Sequence, residues 1–77
     1  MNSDKIEGRN PVLEALKSER EIDKILIAKG ASEGSINKII AIAKDRGLTV
    51  QYVEKQKLNE LSETKSHQGV IALVAAY

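Results

Sequence analysis

The stretch Ile25-Leu26-Ile27-Ala28, within residues 22–28, decides the fold class of this chain of 77 residues. Consecutive apolar residues in so short a segment are typical of a β-strand whose two faces are both covered. A strand of that kind needs packed elements above and below it. Residues 22–28 therefore predict a sheet that lies in the middle of one small domain.

The segment that follows this strand predicts an amphipathic helix. Ile36, Ile39, Ile40 and Ala43 recur with the i, i+3, i+4 and i+7 spacing that places apolar residues on one helical face. Gly47 follows and is suited to end the helix, because glycine readily adopts the left-handed backbone conformation found just after a helix.

The segment before the strand predicts a second helix. Asn10 is placed to cap its first turn, and Pro11 fits the first helical position, where a backbone N–H is not needed. This helix is expected to run to about Ser18, and a short strand over residues 5–7 is expected to precede it.

The remaining elements follow toward the end of the chain. Residues 48–52 alternate between apolar and polar types and predict a strand, in which Tyr52 shares the apolar face and is expected to be buried. Residues 55–62 predict a short helix, and the apolar run 70–76 predicts a central strand. The expected order is β-α-β-α-β-α-β, which indicates an α/β domain with helices on both faces of the sheet.

The composition excludes several kinds of active site. The chain has no cysteine and a single histidine, His67, which excludes disulfides, thiolate chemistry and clusters of imidazole ligands. The glycines of residues 30–34 match a phosphate-binding loop only weakly. We therefore expect no catalytic residue, no metal and no cofactor in this chain.

The charge balance and the apolar pattern narrow the setting further. Twelve Lys and Arg residues against eleven Asp and Glu residues give a net charge of +1. A dedicated nucleic-acid binder usually shows a clear basic excess, so the composition argues mildly against strong binding of nucleic acid by this chain alone. The absence of an apolar run near the roughly 20 residues of a membrane span, and of a signal peptide, makes the cytoplasm the default location.

Two short motifs bracket the chain and carry a family resemblance. The first is Ile6-Glu7-Gly8-Arg9-Asn10-Pro11-Val12-Leu13-Glu14-Ala15-Leu16, and the second is His67-Gln68-Gly69-Val70-Ile71-Ala72. Together they resemble the N-terminal substrate-binding domain of the SpoU (TrmH) family of RNA ribose 2′-O-methyltransferases. In that family a Gly-x-x-x-Val-x-x-Ala-Leu opening and a His-Gln-Gly-Val/Ile closing are typical.

The resemblance implies a fold and a larger context. The fold would be a ribosomal-protein-like α/β/α sandwich with a mixed sheet, spanning residues 6–77 after a flexible N-terminus over residues 1–5. A knotted catalytic domain that binds S-adenosylmethionine and dimerises would follow residue 77. The chain alone is then expected to be a monomer without methyltransferase activity, and the longer protein a homodimeric enzyme.

The resemblance and the residue chemistry together nominate an RNA-binding surface. Arginine suits phosphate contacts at a helix start, and lysine and amide side chains in loops can add to them. Each nominated residue also has a structural alternative: Gly8 as a turn, Asn10 as a helix cap, Lys29 as a solvated lysine, and His67 with Gln68 as ties that hold a turn. The candidate RNA-binding residues are Gly8, Arg9, Asn10, Lys29, Lys65, His67 and Gln68.

The sequence therefore predicts a substrate-recognition domain for structured RNA, with 23S rRNA a better candidate than tRNA. It would present the RNA to its own catalytic domain. The alternative is a scaffold domain that packs on that catalytic domain and contacts little RNA. Basic residues gathered on one edge would favour the first hypothesis, whereas a contiguous exposed apolar patch would favour the second.

Overall fold

A computed structural model of the chain describes residues 4–18, 20–31, 34–63 and 67–74. The elements confirm the predicted order, and the bounds that fall on described residues lie within two residues of the predicted ones. No helix in these ranges is long and apolar enough to cross a bilayer. In chain order they are β1 (Asp4–Glu7), α1 (Arg9–Lys17), β2 (Ile22–Ala28), α2 (Ser35–Asp45), β3 (Thr49–Val53), α3 (Lys55–Leu61) and β4 (Val70–Val74).

The four strands form one mixed sheet in the order β1-β4-β2-β3. Strand β4 runs antiparallel to both of its neighbours, whereas β2 and β3 are parallel. The last strand in sequence is therefore an interior strand, as its apolar run predicts. Residues 75 and 76 of the predicted strand lie outside the described residues.

Helices cover both faces of the sheet, which confirms the α/β/α sandwich. On one face α1 and α2 pack over the strands, and Ile25 and Ile27 of β2 join Ile39 of α2 in the larger core. On the other face Leu26 of β2 packs with Leu58 of α3 in a smaller core. Each fully buried isoleucine contributes about 1.5–3 kcal/mol of favourable burial free energy. The alternation along β2 thus sorts its side chains between two helical layers.

Helix α1 begins earlier than predicted, so the assignment of Asn10 as its cap is wrong. Gly8 occupies the capping position with φ 97° and ψ 154°, and its carbonyl accepts the N–H of Val12 at 3.1 Å. That backbone conformation is essentially open to glycine alone, so Gly8 starts the helix through its backbone. Asn10 is consequently the second helical residue, and its side chain is exposed.

Strand β1 begins at Asp4, two residues before the expected start of the domain at Ile6. Lys5 lies inside this strand and donates from Nζ to the carbonyl of Leu61 at 3.0 Å. Its ammonium group also lies 3.6 Å from a carboxylate oxygen of Glu63. Lys5 therefore ties β1 to the end of α3 and belongs to the folded domain.

Tyr52 is exposed rather than buried, with 49% of its surface accessible. The register pairs it with Ile27, so the alternation identified the correct face of the sheet. Strand β3 lies at the edge of the sheet and has one neighbouring strand. An edge position offers less cover than an interior one, and alternation along a strand does not show which of the two a strand occupies.

Helices α1 and α2 end together at the side of the molecule away from their first residues. After α2, Gly47 adopts φ 73° and donates its N–H to the carbonyl of Lys44, and Leu48 donates to Ala43. These two bonds form the Schellman arrangement that satisfies the last carbonyls of a helix. The predicted role of Gly47 as the residue that ends this helix is confirmed.

Candidate functional site

Both sequence motifs meet at one edge of the sheet. Strands β1 and β2 are each antiparallel to β4, and β3 is parallel to β2, so β1, β2 and β3 all end where β4 begins. Helices α1 and α2 start at the same edge. An open groove of about 1060 Å³ lies there, and ligands of open α/β sheets commonly bind at such carboxyl ends. It is lined by Arg9, Asn10, Ala28, Lys29, Ala31, Ser35, Lys55, Asn59, His67, Gln68 and Gly69.

The structure brings together most of the residues nominated from sequence. Those that line the groove are Arg9, Asn10, Lys29, His67 and Gln68. Gly8 directly precedes them and is buried at the start of α1. Lys65 lies outside the described residues.

Arg9 and Gln68 join the two motifs by a pair of hydrogen bonds. The backbone N–H of Arg9 donates to Oε1 of Gln68 at 3.0 Å, and Nε of Arg9 donates to the backbone carbonyl of Gln68 at 3.2 Å. The two residues are 59 positions apart in the chain. The first turn of α1 and the turn before β4 therefore form one continuous wall of the groove.

His67 holds that turn from inside. His67 is 6% exposed, the Nδ1 of its ring accepts the backbone N–H of Gly69 at 2.9 Å, and the Nε2 lies 2.7 Å from Oδ1 of Asn59. Because a backbone amide can only donate, Nδ1 must be the acceptor, and Nε2 carries the hydrogen that Asn59 accepts. Both ring nitrogens are engaged within the protein, so this histidine has the structural role described among the alternatives above.

The turn itself is conformationally unusual. Gln68 has φ 54° and Gly69 has φ 86°, and a positive φ in a non-glycine residue is uncommon. Such a residue costs about 1–2 kcal/mol unless its surroundings stabilise it. The bonds from Arg9 and from the His67 ring supply that stabilisation, which presents the Gln68 side chain on the exposed side of the wall.

Lys29 enters the groove with its charge partly neutralised. Its Nζ lies 3.1 Å from Oε1 of Glu54, and its backbone N–H donates to the carbonyl of Val53 at 2.8 Å. Both charged side chains are well exposed, so the pair contributes between zero and about 1 kcal/mol to stability. A ligand can therefore compete for this lysine at small cost.

Sequence reasoning missed Lys55 and Asn59, the contribution of α3 to the groove. Their spacing of four residues places both on one helical face, and the predicted helix over 55–62 contained that signal. With Lys55 included, the described residues that line the groove carry the cations Arg9, Lys29 and Lys55 and no carboxylate. The groove therefore favours an anionic ligand.

Comparison with known proteins identifies the family to which the chain belongs. A family model described as RNA 2′-O ribose methyltransferase substrate binding matches residues 5–77. YacO of Bacillus subtilis (strain 168), provisionally named a TrmH family tRNA/rRNA methyltransferase, is 43% identical over 74 residues, which are 96% of this chain and 29% of YacO.

Two staphylococcal proteins with the same provisional family name are similarly related. Those of Staphylococcus aureus (strain COL) and Staphylococcus haemolyticus (strain JCSC1435) are each 46% identical over 72 residues, or 94% of this chain. The chain spans 29% and 28% of their respective lengths. The matched residues include both motifs on which the resemblance was based, and the chain belongs to the RNA 2′-O-ribose methyltransferase substrate-binding family.

Proposed function

We propose that this domain binds structured RNA in the groove between α1, α3 and the turn before β4. It would place one ribose for 2′-O-methylation by a catalytic domain elsewhere in a longer protein. The family membership supports the substrate class, and the relatives' names support both rRNA and tRNA as substrates. We infer that 23S rRNA is the better first candidate.

One observation carries this proposal: residues from both ends of the chain converge on a cationic groove. Arg9 comes from the first motif, Gln68 from the second, and Lys29 and Lys55 from the segments between them. The net charge of +1 conceals this sorting, because the lining of the groove, among the described residues, includes no carboxylate. Cations at such a surface contact phosphates and set the position of an RNA.

The binding is expected to be weak for the domain alone. Three cations can neutralise few phosphates, and non-specific affinities at physiological salt are about 10⁻⁴ to 10⁻⁶ M. Linkage to a catalytic domain that contacts the same RNA would raise the effective concentration and supply the missing affinity. The domain would then contribute more to the position of the RNA than to the affinity of the longer protein for it.

The methyl donor S-adenosylmethionine does not suit this groove. The donor carries a sulfonium, an ammonium and a carboxylate group, and so a net positive charge, whereas the lining presents guanidinium and ammonium groups. Like charges at close range oppose binding. We infer that the donor is held by the catalytic domain, and no step of methyl transfer is assigned to the residues described here.

The scaffold alternative has less support. A protein-docking surface would show a contiguous exposed apolar patch, and in the part of the chain that the structure describes Tyr52 is the one large apolar side chain that is exposed. The near-neutral net charge is the observation in its favour. An RNA titration separates the two functions.

The test is a titration of this chain with 23S rRNA fragments and tRNA between about 50 and 200 mM salt. Arg9→Ala and Lys55→Ala remove groove cations. Lys17→Ala and Lys44→Ala remove exposed cations near the ends of α1 and α2. Each groove variant should lower the affinity about tenfold and the salt slope by about 1, while the far-end variants change both less.

The opposite results are equally clear. Equal losses in the groove and far-end variants would show that binding is not localised to this edge. No saturable binding at any salt by the folded protein would transfer RNA recognition to the longer protein and favour the scaffold function.

A further inference from the structure

The carboxamide of Gln68 has a fixed orientation. Its Oε1 accepts the backbone N–H of Arg9 at 3.0 Å. The reverse orientation would bring two donors together, because a backbone amide always donates and the NH₂ group cannot accept. The oxygen therefore faces the start of α1, and the NH₂ group is directed away from it, on a residue that is exposed and lines the groove.

The guanidinium of Arg9 is oriented by the same residue. Its Nε donates to the backbone carbonyl of Gln68 at 3.2 Å, and its Nη1 would lie 3.8 Å from a Cβ built on Gly34. The side chain thus extends from the Gln68 turn toward the start of α2. Its terminal nitrogens and the NH₂ group of Gln68 offer N–H donors along one wall of the groove.

We propose that Gln68 is an RNA-contacting residue whose NH₂ group donates to a non-bridging phosphate oxygen of the RNA, beside the Arg9 guanidinium. This inference rests on the proposed function and names the atom class that this wall recognises. A phosphate accepts hydrogen bonds at every exposed oxygen and carries the negative charge that a guanidinium complements, whereas a base is uncharged. A wall of donors that includes a cation matches the phosphate.

The geometry of the turn places three requirements on the side chain and backbone of residue 68. The residue must adopt φ 54°, reach back to the N–H of Arg9 with an oxygen, and keep a donor for the ligand. Glutamate meets the first two requirements and fails the third, because a carboxylate is an acceptor alone. Gln68→Glu therefore removes the donor while it preserves the bond that orients the side chain.

The matched control is Gln51→Glu, which introduces the same charge at an exposed position of β3 outside the groove lining. Thermal unfolding should show that both variants stay folded. Gln68→Glu should weaken RNA binding at least about tenfold more than Gln51→Glu, because a donor to a charged group is replaced by a repelled acceptor. Equal effects of the two variants would overturn the role of Gln68.

A direct readout is the side-chain NH₂ signal of Gln68 in amide-proton NMR spectra, assigned from its loss in Gln68→Glu. Titration with an RNA fragment, and separately with inorganic phosphate, should shift this signal and leave that of Gln51 in place. RNA binding without a Gln68 shift would overturn the inference and leave the proposed function intact. If no RNA binds, the proposed function fails, and the phosphate titration alone decides whether this wall donates to phosphate.

Discussion

Two arginines at opposite ends of the α1–α2 pair serve the fold in different ways. Arg46, just after α2, donates from Nη1 to the carbonyl of Leu16 at 3.1 Å and from Nη2 to the carbonyl of Arg20 at 3.0 Å. Arg9, at the start of α1, makes its bond to the Gln68 carbonyl through Nε. The terminal nitrogens of Arg46 thus bond to the backbone, whereas those of Arg9 extend along the groove. Arg46 therefore has a structural role, because both of its terminal nitrogens bond to the backbone. Arg9 remains the candidate ligand contact, because among the described residues only its Nε does so.

The turns at these two ends are also held differently. After α2, backbone N–H groups of Gly47 and Leu48 satisfy the last carbonyls of the helix. Before β4, side chains satisfy backbone N–H groups instead: the His67 ring accepts the N–H of Gly69, and the Gln68 side chain accepts that of Arg9. The groove end should therefore be the more sensitive of the two to side-chain replacement.

The largest expected effect is that of His67→Ala. The change leaves the Gly69 N–H without its acceptor and opens a cavity where a buried ring was, so the free energy of unfolding should fall by about 3 kcal/mol. Lys44→Ala in the last turn of α2, an exposed position, should change it by less than about 0.5 kcal/mol. Urea denaturation of both variants measures the difference. A loss near 1 kcal/mol in His67→Ala would contradict the dependence of the groove end on this ring.

The next largest effect is expected at Gly8, which begins α1, and it is compared with that at Gly47, which follows α2. Gly8→Ala should lower the free energy of unfolding by about 2 kcal/mol, because φ 97° with ψ 154° is accessible only to glycine. Gly47→Ala should cost about 1 kcal/mol, because its left-handed conformation is strained but allowed and no atom lies within 4 Å of an added Cβ.

Substitution by asparagine tests the difference between the two glycines further, since asparagine tolerates the left-handed region better than alanine does. Gly47→Asn should recover part of the loss, whereas Gly8→Asn should not. Equal costs at the two glycines, measured by thermal unfolding, would show that the start of α1 relaxes into a different conformation.

Arg46 should matter more for the stability of the free domain, and Arg9 more for its stabilisation by RNA. Arg46→Ala should lower the free energy of unfolding by about 1 kcal/mol, because two backbone carbonyls lose a charged donor. Arg9→Ala should cost about half as much without RNA, since it loses one such bond. RNA should raise the unfolding temperature of the parent chain and of Arg46→Ala more than that of Arg9→Ala, because stabilisation by a ligand increases with its affinity. RNA stabilisation that fell equally in both variants would remove the distinction between the two ends.

The elements that periodicity predicted are those whose pattern results from burial. Ile36, Ile39 and Ala43 repeat with the helical period because one face of α2 is fully covered, and that cause is local to the sequence. Asn10 failed as a cap because the helix start depends on the φ that Gly8 adopts. Tyr52 failed as a core residue because the place of a strand within the sheet depends on contacts made by the other strands.

The candidate site divides in the same way. Arg9 and Gln68 could be nominated from their motifs, but their mutual bonds span 59 positions and depend on the antiparallel pairing of β1 with β4. Lys55 and Asn59 belong to the groove because β3 is parallel to β2, which places the start of α3 at the edge where β2 ends and β4 begins. The sequence pattern shows neither relation, since each is a consequence of strand pairing.

The smallest expected effect tests the ion pair at the rim of the groove. Glu54→Gln removes the partner of Lys29 and should leave the free energy of unfolding within about 0.5 kcal/mol, because an exposed pair contributes little. RNA affinity should nevertheless rise about twofold to threefold, since Lys29 no longer has to leave a carboxylate to meet a phosphate. Asp45→Asn makes the same change of charge at the end of α2, 11 residues long and so about 16 Å from its start. That distance exceeds the screening length of about 10 Å at 0.1 M salt. A gain in Glu54→Gln alone would locate the phosphate contacts at the groove end, whereas equal gains in both would mean that RNA responds to the total charge of the domain.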